Sequence, residues 1–191
     1  MQLWLKRFAV CSLLGLAFAV SFPAQASSNP ELRRLLKEAM EADYGFEDRY
    51  DAQVWLLDMS NRLKPFVEDP KVRLKMLRQI HYEARRADIE PELVLAVIEV
   101  ESRFDEFAIS VSGARGLMQV MPFWLEEIGI SDKNLFKIRT NLRMGCTILR
   151  YYLDMEPGNL GRALARYNGS LGKTDYANRV VTALRTNWFK H

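Results

Sequence analysis

Apolar residues recur three and four positions apart through almost the whole chain after residue 29, and that period admits helices and little else. Asn29-Pro30-Glu31 reads as a cap, a first-turn proline and a first-turn acid, followed by Leu32, Leu35, Leu36, Ala39 and Met40 at helical spacing. After a break around Gly45, Trp55, Leu56, Met59, Leu63 and Phe66 share one face. Asp69-Pro70 opens a third stripe of Val72, Met76, Leu77, Ile80, Ala84 and Ala87. From Pro91 towards Phe104 the chain is apolar on most sides, which places that helix in the middle of the fold. The period is lost between Asp105 and Gly116, where a short strand or loop with glycine turns is expected. Helices are then predicted over 117–127, 141–154, 160–167 and 176–188. The spacing therefore predicts a mainly α fold with at most a small β-hairpin.

The N-terminus has a different character. Lys6 and Arg7 precede an uncharged run from Phe8 to Phe22, and Ala24-Gln25-Ala26 supplies a small-x-small site, the pattern of a cleaved export signal. The run is short against the ~20 apolar residues of a membrane span, although an uncleaved anchor is the alternative. Cleavage after Ala26 removes two of the 27 basic side chains and none of the 24 acidic ones. The mature chain is then nearly neutral, unlike a nucleic-acid binder. Of the 2 cysteines, Cys11 and Cys146, it retains only Cys146, so it must cohere by packing without a disulfide. Three segments follow: signal 1–26, an N-terminal helical extension 27–69 and a main domain 70–191. With 2 histidines and no glycine-rich phosphate loop, no metal or cofactor is expected.

Glu101 is the carboxylate with chemical promise. It lies near the end of the most apolar helix, after Leu-Ala-Val-Ile-Glu-Val at 95–100. A carboxyl held against apolar walls keeps its proton to higher pH, which a general acid for glycoside cleavage needs. Helical context alone favours a solvated residue or a cap partner. Glu99 points to another face, and Glu92 sits in the first turn, where an acid complements the helix dipole.

Around Glu101-Ser102 come Ser110, then Gly113-Ala114-Arg115-Gly116-Leu117-Met118-Gln119-Val120-Met121-Pro122, then Asn141 and Gly145, and later Ala165-Arg166-Tyr167-Asn168-Gly169. This ordered set resembles the soluble lytic murein transglycosylase family, from about Val72 to Val181. The family's catalytic domain is lysozyme-like and distantly similar to goose-type lysozyme. The resemblance implies that Glu101 is the sole catalytic acid and base. It implies that Ser110, Gln119 and Met121 line a sugar cleft, that Tyr167 approaches the catalytic carboxyl, and that Asn168 continues the same contacts. Read by themselves, Met121 is core filler, Ser110 a turn residue and Tyr167 a half-buried aromatic. Phe123-Trp124 after Pro122, and Gly172-Lys173-Thr174-Asp175 with Ala177 around Tyr176, depart from the family's pattern.

Ordinary glycosidases flank the scissile bond with two acids. No second acid falls in a block opposite Glu101, and Asp105 and Glu106 are too close in sequence to face it easily. The resemblance implies a lyase in which Glu101 protonates the glycosidic oxygen leaving N-acetylmuramic acid. It then takes the proton of that sugar's C6 hydroxyl, which closes on C1 as a 1,6-anhydro ring. Intramolecular attack has effective molarities up to ~10⁵ M or more. Peptidoglycan glycan strands would be the partner, in the periplasm or outside the cell, with no nucleic acid and no membrane span after cleavage. Alternatives are a goose-lysozyme-like hydrolase and a catalytically silent murein-binding or scaffolding protein. Residues 29–67 lie outside the resemblance and either shape one end of the cleft or dock an envelope partner.

Overall fold

The computed structural model describes residues 30, 31, 34, 51–130 and 134–189. The predicted export signal at 1–26 and nearly all of the first predicted helix lie outside the described residues; Pro30, Glu31 and Arg34 are helical and exposed. From residue 51 the elements are α1 (Asp51–Leu63), α2 (Pro70–Arg86), α3 (Pro91–Ser102), α4 (Phe123–Glu127), α5 (Ile138–Met155), α6 (Leu160–Tyr167) and α7 (Asp175–Ala183). A π-helical turn, Leu184–Trp188, continues α7. Among the described residues, β structure is confined to isolated bridges joining Ile109 to Arg115 and Arg115 to Val120. The fold is mainly α, as the apolar period predicts. No helix among these residues is long and apolar enough to cross a membrane.

The Asp69-Pro70 signal has a physical counterpart. Asp69 caps α2 by accepting from the Lys71 and Val72 amides, with Pro70 in the first turn, where its missing N–H costs nothing. Asn159 caps α6 through the Arg162 amide. Helix α3 is the central element: Val94, Leu95, Ala96, Val97 and Ile98 have no exposed surface. It packs against α2, α7 and the π-helical turn. The same apolar cluster takes in Trp55, Met59 and Leu63 of α1, so the core runs unbroken across residue 69.

One predicted helix is cut short. The period suggested helix over 117–127, but only Phe123–Glu127 is helical. Distant partners take the backbone groups that a helix would need. The Leu117 carbonyl accepts from the Ser102 hydroxyl at 2.8 Å, and the Met118 amide donates to Asn141 at 2.8 Å. Gln119 adopts a left-handed φ of 48°, and Val120 exchanges hydrogen bonds with Arg115. Pro122 adds its own bias, because the residue before a proline disfavours the helical region.

A charged group is buried at a position that the apolar pattern does not mark. Glu83 on α2 is fully buried and meets Arg143 on α5 at 2.9 Å and Arg86 at 2.7 Å. Arg86 also donates to the Thr147 hydroxyl at 2.8 Å. Removing one partner of such a set leaves the others charged in a dry interior. Glu83→Ala is therefore expected to cost about 3–5 kcal/mol, read as a drop in the urea midpoint with an unchanged m-value.

Candidate active site

The site is built at the C-terminal end of α3. Glu101 and Ser102 occupy its last turn, and Arg103 and Phe104 follow with φ of 51° and 67°. Two successive left-handed residues without glycine are costly, of order 1–3 kcal/mol each, and persist only where their surroundings hold them. Here the holding groups are visible. The Phe104 ring lies 5.2 Å from Phe66 and 5.5 Å from Trp188, and the Arg103 guanidinium sits 5.5 Å above Phe66. The Trp188 indole donates to Glu99 at 2.7 Å, and the Asn187 side chain donates to the same carboxylate. Arg62 of α1 in turn donates to the Asn187 and Phe189 carbonyls. The end of α3 is thus gripped by α1, by the turn after it and by the π-helical turn. Glu99 does point away from Glu101, as its position two residues earlier requires.

Glu101 is half-buried, and burial raises its pKa to about 7. Two groups oppose that rise: the Tyr176 hydroxyl, which donates to Oε1 at 2.7 Å, and the Arg179 cation. Arg179 lies over the Tyr176 ring, 5.8 Å from its centroid. Among the described residues, no second carboxylate is one of the groups that perturb Glu101. Asp105 is turned to the Phe107 amide.

The loop from Ala108 to Met121 forms the neighbouring wall, and its shape is set from behind. Asn141 accepts from the Met118 amide and donates to the Arg115 and Leu135 carbonyls at 2.7 and 2.9 Å. A Cβ on Gly116 would lie 2.5 Å from the Asn141 amide, and one on Gly145 would lie 2.5 Å from the Met118 sulfur. The absence of side chains at 116 and 145 is therefore what lets the loop seat on α5. Asn141 and Gly145 sit one helical turn apart; the sequence shows that spacing, but only the packing shows that both face the loop.

The sequence-predicted residues separate into different tasks. Gln119 spends its amide nitrogen on the Ala108 and Gly116 carbonyls, at 3.2 and 2.9 Å, and so braces the loop. Ser110 accepts from the Ala114 amide and pairs with Ser112, closing the turn. Met121 is half-buried and packs on the core. Asn168 is exposed at the C-terminal end of α6. The hydroxyl of Tyr167 donates to the Met118 carbonyl at 2.7 Å. Glu101 helps, after burial, to raise the Tyr167 pKa. The tyrosine whose hydroxyl reaches the carboxyl is Tyr176, buried on α7, where the sequence departs from the family's pattern on either side. Its four-residue spacing with Val180, Leu184 and Trp188 marks a core-facing ring and leaves the polar tip unmarked.

A mainly α fold presenting one proton-holding carboxyl at the end of a buried helix narrows the class. A family model described as the transglycosylase SLT domain matches residues 78–188, and the chain belongs to that family. Similar proteins include a transglycosylase of Enterobacteria phage PRD1, 32% identical over 93 residues, 49% of this chain and 34% of the relative. The membrane-bound lytic murein transglycosylase F of Desulfosudis oleivorans is 33% identical over 126 residues, 62% of this chain and 27% of the relative. The membrane-bound lytic murein transglycosylase C of Actinobacillus pleuropneumoniae is 54% identical over 39 residues, 20% of this chain and 11% of the relative. The chain spans no more than about a third of the length of these relatives. Phe66, Arg62 and Trp55 lie outside the matched residues, yet they touch the elements that carry the site.

The raised pKa has a thermodynamic consequence. An unfolded Glu101 ionises near 4.5, whereas the folded side chain holds its proton until about 7. Between those values the folded state binds the extra proton, so stability falls as pH rises through the window and levels off above it. Glu101→Gln removes that penalty. The variant is expected to be more stable than wild type at pH 8, by on the order of 2–3 kcal/mol, and to match it at pH 4; urea titrations at the two pH values measure the difference.

Proposed function

We propose that this protein is an exported lytic transglycosylase, cleaving the β-1,4 bond between N-acetylmuramic acid and N-acetylglucosamine in peptidoglycan and leaving 1,6-anhydromuramyl ends. The observation that carries the reading is Glu101: one half-buried carboxyl, protonated to about pH 7, hydrogen-bonded by Tyr176 and without a carboxylate among the groups that perturb it. Family membership and relatives named as murein transglycosylases support the substrate. Localisation in the periplasm or outside the cell rests on the export pattern at 1–26.

With one carboxyl, acid and base roles must alternate on the same atoms. Protonated Glu101 donates to the glycosidic oxygen as the bond to C1 breaks. The carboxylate so formed, steadied by the Tyr176 hydroxyl, accepts the C6 hydroxyl proton while that oxygen closes on C1. The proton returns to Glu101, and no water enters the balance. Tyr176 favours the charged form, which exists only after the first transfer, so it assists the second step. Burial favours the neutral form that begins the cycle. Gln119, Tyr167 and Asn141 position the 108–121 wall, with Ser110 and Met121 on that loop and Asn168 at the adjoining end of α6.

The experiment is digestion of murein sacculi by the purified mature protein, with products weighed by mass spectrometry. Anhydro ends, lighter by one water, are expected. Hydrated ends would make the protein a goose-lysozyme-like hydrolase, and binding without release would make it a scaffolding protein. Glu101→Gln is expected to lose about 10²–10⁴-fold in kcat. The wild-type rate is expected to fall on the alkaline side with a midpoint near the Glu101 pKa of about 7. Tyr176→Phe, which removes a hydrogen bond to the charged form, is expected to move that midpoint to higher pH while lowering the maximal rate.

A further inference from the structure

We propose that Arg179 forms an anion subsite beside Glu101 that takes a free carboxylate of the peptide stem carried by the muramic acid at the scissile bond. The proposal rests on the reaction proposed above. Helix α7 places Tyr176 and Arg179 three residues apart, on the same face. The Tyr176 hydroxyl donates to Glu101 at 2.7 Å, and the Arg179 guanidinium lies 5.8 Å from the centre of the same ring. A cation is therefore held one aromatic ring away from the reacting carboxyl.

Arg179 is exposed and, among the described residues, makes no ion-pair contact with a carboxylate; its charge is felt by Glu101 through space. Asp175 stands four residues before it, a spacing at which such pairs form, yet no ion pair joins them. Four other arginines are committed to carboxylates, Arg86 and Arg143 to Glu83 and Arg162 and Arg166 to Glu156, while Arg103 and Arg115 rest on the Phe66 and Phe136 rings; Arg179 is the one whose charge bears on Glu101. A guanidinium resting on a ring face is already oriented and keeps its N–H edges for a planar, two-oxygen acceptor.

The chemistry of the substrate selects that acceptor. The two N-acetylated sugars of the glycan carry neutral hydroxyls and amides. The lactyl group at C3 of muramic acid is consumed as the amide that attaches the stem. Free negative charge in the strand accordingly belongs to the stem carboxylates, and the stem leaves the ring two carbons from the C1 that reacts. A cation at the mouth of the site meets that group and no other anionic part of the strand.

The test uses soluble glycan oligomers with intact stems, compared with the same oligomers after carbodiimide coupling to excess ammonia. That treatment keeps the peptide and converts its carboxylates to amides. Wild type is expected to prefer the free-acid oligomers by roughly fivefold in kcat/KM, expressed in KM. In Arg179→Gln the acid-to-amide ratio is expected to fall to about one, and Arg179→Lys is expected to keep part of the preference because it retains a point charge. Thermal unfolding of each variant reports its folding separately. A wild type that cuts both substrates equally, or an Arg179→Gln variant that keeps the preference while still forming anhydro ends, overturns the assignment alone. A wild type that forms anhydro ends from neither substrate overturns the reaction and the subsite together.

Discussion

The burial of α3 is the constraint from which the rest of the molecule follows. A helix whose Val94 to Ile98 run has no exposed surface must be covered on every side, and α2, α7 and the π-helical turn supply the cover. Such a helix leaves room for a half-exposed polar side chain mainly towards its C-terminal end. Glu101 occupies it. The dryness that stabilises the helix also penalises the Glu101 charge, so core packing and proton affinity have one cause. The left-handed pair Arg103 and Phe104 turns the chain sharply away after that acid, and the aromatic group of Phe66, Phe104 and Trp188 holds the turn in place.

Much of the helical framework was legible because caps and apolar stripes are local signals. Asp69-Pro70 marks a start that the structure shows as a capped helix N-terminus, and Trp55, Met59 and Leu63 fall on a buried face. What the period misjudged was 117–121, where hydrogen bonds to Ser102 and Asn141, distant in sequence, outweigh the local preference for helix. Glu83 and Arg143 escaped notice for a related reason: each looks like a surface charge until the two helices are brought together. At the site, the apolar setting predicted a raised pKa for Glu101. The pattern could not distinguish the two tyrosines, since both Tyr167 and Tyr176 lie on helices facing the same carboxyl. Which hydroxyl reaches it depends on the rotation of α7 against α3, a tertiary quantity.

The region before the family-matched residues is no loose appendage where it is described. Helix α1 contributes Met59 and Leu63 to the core, and Trp55 donates to Glu92 at 3.0 Å, in the first turn of α3. The extension therefore touches both ends of the helix that carries Glu101, its start through Trp55 and its finish through Phe66.

The bond from Trp188 to Glu99 joins groups 89 positions apart. Because ribosomes work from the amino end, the helix bearing the acid emerges long before the indole that secures it. A nascent chain halted short of that turn lacks both the Glu99 clamp and one ring of the aromatic group. Assembly of the site is thus deferred until Trp188 has been added, and any translation product that stops before it is left without a braced acid.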